Sequence, residues 1–137
     1  MLLKIKGKTI IFNNDLDSLH KITPNVVSSR LSLKQNKNIV DSFNSNKIKN
    51  IASFKKLKQG ENLIDLSNCI VMSYYSSDGD LIQRAGRLRE DGKLGNLFII
   101  VTKNTREEVW FNSMIGDYKD YDITYYKNIN ECLKNLN

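Results

Sequence analysis

The sequence predicts an α/β domain with a mostly parallel sheet, and three observations predict it. Runs of consecutive apolar residues, such as Ile10-Ile11-Phe12 and Leu97-Phe98-Ile99-Ile100-Val101, suit strands covered on both faces, as in a parallel sheet under helices. Between these runs stand segments whose apolar residues recur at helical spacing. Turn residues separate the two kinds, so strand and helix alternate as they do in crossover units. A length of 137 residues fits a single core.

Lys8 to Asn13 reads as the first strand, and Asn14 or Asp15 then caps a helix carrying Leu16, Leu19 and Ile22, stopped before Pro24. Gly7-Lys8-Thr9 imitates the end of a phosphate-binding loop, but the upstream glycine is missing and a strand follows where a helix is required, so it is read as coincidence. Asn25 to Ser29 is the second strand and Ser28 to Asn38 a polar, basic loop. Ile39, Val40 and Phe43 then form a helical stripe that Asn44-Ser45-Asn46 ends. Ile48, Ile51, Ala52 and Phe54 predict a third strand, and Lys55, Lys56 and Lys58 crowd the turn after it. Gly60 to Leu63 leads into a strand over Cys69 to Tyr74. Ser77 with Asp80 offers a cap for the helix that follows. Asp91-Gly92 and Leu94-Gly95 mark a turn before Asn96 to Thr102, the cleanest apolar run, which is expected at the centre of the sheet. Thr105 to Glu108 fits a capping box, with Val109, Trp110, Ser113 and Met114 continuing that helix to Gly116. An edge strand over Asp122 to Tyr126 and a helix over Ile129 to Leu136 close the chain.

The formal charge of +6 comes from 21 basic against 15 acidic residues, a balance that suits a nucleic-acid partner without requiring one. Lysines 55, 56 and 58 could neutralise phosphates, and Tyr74 and Tyr75, which could stack bases, read rather as the rim of a core. His20 is the sole histidine and no cluster has metal-ligand spacing, so no metal site is predicted. Cys69 and Cys132 read as free thiols of a reduced cytoplasm, and no apolar run is long enough for a membrane span. Abundant Asn, Lys and Ile suggest an AT-rich genome, that of a low-GC bacterium or its phage.

The densest chemistry lies in Gln83-Arg84-Ala85-Gly86-Arg87-Leu88-Arg89. Three guanidiniums, always charged and forked to match phosphate oxygens, have no use in a core. On a helix Gln83 and Arg87 share one face, while Arg89 lies about 200° from Arg87 and joins it only if the helix unwinds.

Gln83 to Arg87 resembles motif VI of superfamily 2 helicases, and Gly60-Glu61-Asn62-Leu63 with the strand after it is similar to motif V. The strand Ile10-Ile11-Phe12 resembles motif IV, so that the stretch from about Lys8 to Met114 is similar to the second RecA-like lobe of such enzymes. The resemblance implies a three-layer RecA-like domain with a central sheet of five to seven strands over residues 1–120, and a C-terminal extension over 121–137. It implies that Arg87 is an arginine finger toward the γ-phosphate, with Gln83 and Arg84 ordering the interface. Gly60 and Asn62 would line the ATP seam, and Lys55, Lys56 and Lys58 would hold nucleic acid. Many relatives carry a last arginine three residues after the position of Arg87, where this chain has Glu90; the nearest counterpart is Arg89.

Phosphate-binding loop and magnesium motif both belong to the first lobe of the family, and this sequence carries neither. The expectation is half of an ATP-dependent helicase or translocase on DNA or RNA, inactive alone. ATP with Mg would be bound mainly by a first lobe, in trans or in the remainder of a longer chain. The alternative is a non-catalytic nucleic-acid-binding or helicase-regulating module that keeps the lobe fold.

Overall fold

The computed structural model describes residues 5–13, 15–54, 63, 66–72, 96–115 and 124–135. They form β1 (Lys8–Asn13), α1 (Leu16–Ile22), β2 (Val26–Val27), α2 (Leu33–Asn44), β3 (Asn50–Phe54), β4 (Leu66–Val71), β5 (Asn96–Ile99), α3 (Arg106–Ile115) and α4 (Ile129–Lys134). Every strand pairing is parallel, and the order across the sheet is β2-β3-β1-β4-β5.

Alternation along each strand sends neighbouring side chains to opposite faces, and two apolar clusters result. Ile10, Phe12, Ile51, Cys69 and Val71 meet Phe43 of α2 and Phe111 of α3 on one face, with Ile39, Val40 and Trp110 packed around them. Ile11, Val26, Ala52 and Ile70 meet Leu16 and Leu19 of α1 on the other, and Leu133 of α4 packs there. The domain therefore has three layers. From β1 to β2 the chain moves one way across the sheet, and from β2 to β3 it moves back. A constant crossover hand must then place α1 and α2 on opposite faces, as the two clusters show.

Local chemistry explains the helix starts. Asp15, not Asn14, caps α1: its carboxylate accepts from the Ser18 amide and hydroxyl, and the hydroxyl bond is the main reason its pKa is lowered. Ser32 caps α2 in a reciprocal box, with Gln35 N donating to Ser32 Oγ (3.1 Å) and Ser32 N to Gln35 Oε1 (2.9 Å). Asn36 reinforces it by bonding both the amide and the carbonyl of Ser28. Ser32→Ala is expected to cost about 1 kcal/mol, read as a lower urea midpoint at unchanged slope.

Gly7 and Lys8 have structural uses that account for the false phosphate-loop signature. Gly7 has φ +97°, and a Cβ there would lie 2.8 Å from Ser67 Cβ, so the backbone needs glycine on both counts. Lys8 is buried, its ammonium 4.4 Å from the centre of the Phe43 ring. Opposite it, the register of β1 with β4 slips between Lys8 and Thr9, leaving Ser67 unpaired as in a bulge. The slip lets Leu66 join the cluster of Cys69 and Val71, which strict alternation would deny it.

At the amino ends of the strands Asn50, Thr9, Asn68 and Asn96 stand in register across β3, β1, β4 and β5. Asn68 donates to Lys6 O (2.8 Å) and Thr9 Oγ1 (3.3 Å), Asn96 donates to Asn68 Oδ1 (3.1 Å), and Thr23 donates to Asn50 Oδ1 (2.6 Å). Sliding β1 or β4 by one residue would strand the buried side chains of Thr9 and Asn68, so the row enforces register.

Several expectations are corrected. The apolar run at Asn96 is not central: β5 is outermost in the sheet order of the described residues, and β1 holds the middle. Coverage of both faces, by Leu97 and Ile99 on one and Phe98 on the other, is what makes that run apolar, and an edge strand can be covered too. Half of the expected loop from Ser28 to Asn38 is helix, because the Ser32 box starts α2 at Leu33. Ile22 is exposed rather than part of the α1 core. Thr105 does not form the expected box: its hydroxyl donates to Thr102 O, its carbonyl takes the Glu108 amide, and the Glu108 carboxylate accepts from Asn104 N. Residues Thr124 to Tyr126 are not a strand. The cap expected at Ser77, the tyrosines 74 and 75 and the turn at Asp91 lie outside the described residues.

Cys69 is fully buried, and burial pushes its thiol up to about 12 from an ordinary 9.0. The folded thiol keeps its proton where an unfolded one would lose it. Its share of stability is therefore complete below pH 9.0 and declines as pH rises toward about 12. With a thiol-disulfide reagent at pH 8, we expect one fast equivalent from the partly exposed Cys132 and a second only on unfolding. Two fast equivalents would contradict the burial of Cys69.

Candidate functional site

Because the strands are parallel, they all end at one edge of the sheet, and ligands of such sheets bind beyond that edge where connections diverge. The divergence here lies between β1, whose chain goes on to β2, and β4, which lies on the opposite side of β1 from β3. Asn13 and Met72 floor that crevice. Asn13 is buried, accepts from the Asp15 amide (3.1 Å) and directs Nδ2 at Met72 Sδ (3.9 Å), while the Met72 amide bonds Phe12 O.

The predicted residues fall, in the sequence, between the strands that flank β1 and the strands after them. Lys55 directly follows β3; Lys56, Lys58, Gly60 and Asn62 come between β3 and β4; Gln83, Arg84, Arg87 and Arg89 come between β4 and β5. All nine lie outside the described residues. What the described residues supply is the departure points: β3 and β4 flank β1, and both end at the same edge.

The sequence marks Ser28 to Asn38 as polar and basic, a kind of loop that the resemblance associates with the nucleic-acid backbone, without singling out a residue; Arg30, Lys34 and Lys37 are exposed there and in the first turns of α2. Their signal is a stretch from Ser28 to Val40 containing no acid. The start of α3 is different in character. Glu107 accepts from the Thr102 hydroxyl with one oxygen and leaves the other buried without a hydrogen-bond partner, and Glu108 stands beside it, so this corner repels anions. No group of three or more His, Cys, Asp or Glu among the described residues could hold a metal, and His20 is exposed. No helix among them is long and apolar enough to cross a membrane.

Nor do the described residues make a triphosphate cradle. The one stretch with that look, Gly7 to Thr9, runs straight into β1 with its lysine buried against Phe43.

Among the described residues, a three-layer lobe with an all-parallel sheet in this strand order is a RecA-like fold. The model of the helicase conserved C-terminal domain matches residues 2–91, and the chain belongs to that family. It is a C-terminal RecA-like lobe of the superfamily 2 type. Among solved structures it is similar to the C-terminal domain of S. cerevisiae Dbp5, in a complex of variant proteins with Gle1 and IP6. The TM-score is 0.73 at 14% identity, over 97% of this chain and 83% of that one, a likeness of fold. No curated protein sequence matches the chain.

Proposed function

We propose that the chain is the second motor lobe of an ATP-dependent superfamily 2 helicase or translocase acting on DNA or RNA. The observation that carries this reading is the family match over residues 2–91, which takes in β1, the lysines after β3 and the whole of Gln83 to Arg89. Arg87 supplies a permanent forked cation to the phosphates of a nucleotide, and Gln83 and Arg84 order the contact between lobes. Gly60, Asn62 and Arg89 line the same seam. Lys55, Lys56 and Lys58, with Arg30, Lys34 and Lys37, hold the backbone of the nucleic acid.

ATP and Mg are bound mainly by a first lobe, on another chain or elsewhere in a longer one. That division agrees with the burial of Lys8, which leaves Gly7 to Thr9 unable to serve as a phosphate loop. The bound nucleotide supplies the free energy of phosphoanhydride hydrolysis; this chain contributes cations and position.

A second reading is a binding or regulatory module, favoured by one observation: the similar Dbp5 domain was solved bound to Gle1 and IP6. Affinity capture of the chain from its native cell, followed by ATPase assay with and without single-stranded and duplex nucleic acid, separates the two. Stimulated hydrolysis in the captured complex supports the motor. A complex that binds nucleic acid in a salt-sensitive way but hydrolyses nothing supports the module.

A further inference from the structure

Tyr125 and Leu133 are close in the chain but touch opposite faces of the sheet. Tyr125 meets the Phe111 ring edge-on, with centroids 6.4 Å apart and planes at 84°, and Phe111 belongs to the first apolar cluster. Leu133 packs against the second. On each face the β3 side is taken, since α1 packs on β1 and β3 and α2 on β2 and β3. Among the described helices this leaves α3 and α4 for the β4 and β5 side, one on each face. The chain from Tyr125 to Leu133 therefore passes from face to face around β5, the outermost of the described strands.

Little holds it there. From Thr124 to Asn135 only Cys132 and Leu133 are half-buried; every other residue is exposed, Tyr125 to 68%. The hydrogen bonds of α4 and its caps run within the segment. Glu131 N donates to Asn128 Oδ1 (2.9 Å), Lys127 N to Glu131 Oε2 (3.4 Å), and Asn135 Nδ2 to Glu131 O (2.9 Å). A helix of six residues is unstable in water by itself. α4 thus keeps its form only while Leu133 is seated, so that undocking and melting are one event. Local opening is easiest where least is buried, and the strands beside this segment are buried far more deeply.

We propose that Tyr125 to Leu133 is a releasable clasp on the β5 side of the domain. Its two anchors let go together while the sheet stays paired. Release uncovers apolar surface on both faces at once, at Phe111 on one and at the second cluster on the other. The clasp is a point of control apart from the crevice, and it stands whether or not the chain acts on nucleic acid or ATP.

The test is amide hydrogen exchange of the full chain in a series of low urea concentrations, comparing Thr124 to Asn135 with β1 and β4. The amides of Glu131 and Cys132, which bond Asn128, should exchange at least about tenfold faster than those of β1, at a rate that low urea barely changes, because undocking exposes little surface. Leu133→Ala should speed that exchange about tenfold, and Tyr125→Ala, on the far face, about threefold, with β1 and β4 unchanged in both. Tyr125 is too exposed for its removal to unfold the domain. Limited trypsin cleavage after Lys127 should rise in step with exchange in the two variants. Unchanged exchange of α4 in Tyr125→Ala would show that the anchors act separately and would overturn the clasp. So would α4 amides that exchange only together with those of β1, or that show no protection in the unmodified chain.

Discussion

Arg87→Ala is expected to remove nucleic-acid-stimulated ATP hydrolysis from the two-lobe complex, with a fall in kcat of about 10³-fold or more. An arginine finger acts on charge that develops in the transition state, so nucleotide affinity should change far less than turnover. Arg87→Lys should fail nearly as badly, because an ammonium cannot present two parallel donors to a phosphate. Steady-state hydrolysis with saturating oligonucleotide, alongside nucleotide binding, reads both quantities. Full stimulated turnover in Arg87→Ala would mean that the finger is elsewhere, and Arg89, one position short of where relatives carry their last arginine, would be next to replace.

Phe43→Ala is expected to destabilise the domain by about 3–5 kcal/mol, lowering Tm by roughly 10 °C or more. Phe43 is fully buried and joins α2 to Ile10 and Phe12 of β1 and Ile51 of β3, so its loss opens a cavity at the centre of the larger cluster. The ring also faces the Lys8 ammonium, 4.4 Å from its centre. Removing the ring takes away a π face worth about 0.5–1 kcal/mol to a cation. A double-mutant cycle with Lys8→Met isolates that share, since the two residues touch and their effects should not add. Additive effects would show that the ring matters to the domain only as volume.

Some of this architecture is legible in the residues alone. The limits of β1 read correctly from Lys8 to Asn13, because a strand covered on both faces shows itself as an apolar run between turn residues. The stripe of Ile39, Val40 and Phe43 marks the buried side of α2, although the helix starts well before the stripe does. Lysines 34 and 37 and Leu33 face outward there, and an exposed first turn carries no apolar periodicity. For α1 the residues leave Asn14 and Asp15 equally open as caps, since either side chain can accept the same amide; the fold selects Asp15.

Membership of a helicase lobe is legible in the order of three short motifs, and the family match bears it out. The positions of Arg87, Gln83 and Lys55 in space are not. Their chemistry follows from side-chain type, but their aim depends on segments outside the described residues.

By itself the sequence determined which faces are covered, where helices alternate with strands and which family the chain belongs to, because periodicity and residue type record burial and chemistry directly. Only the tertiary structure decided which strand lies beside which. Among the described strands it put β1 in the middle and β5 outermost, rephased Leu66 through the slip at Ser67, and lined up Asn50, Thr9, Asn68 and Asn96 across the sheet. Neighbours within a sheet are joined by backbone hydrogen bonds, which every residue but proline offers alike. Lateral order therefore leaves almost no mark on the side chains that a sequence displays.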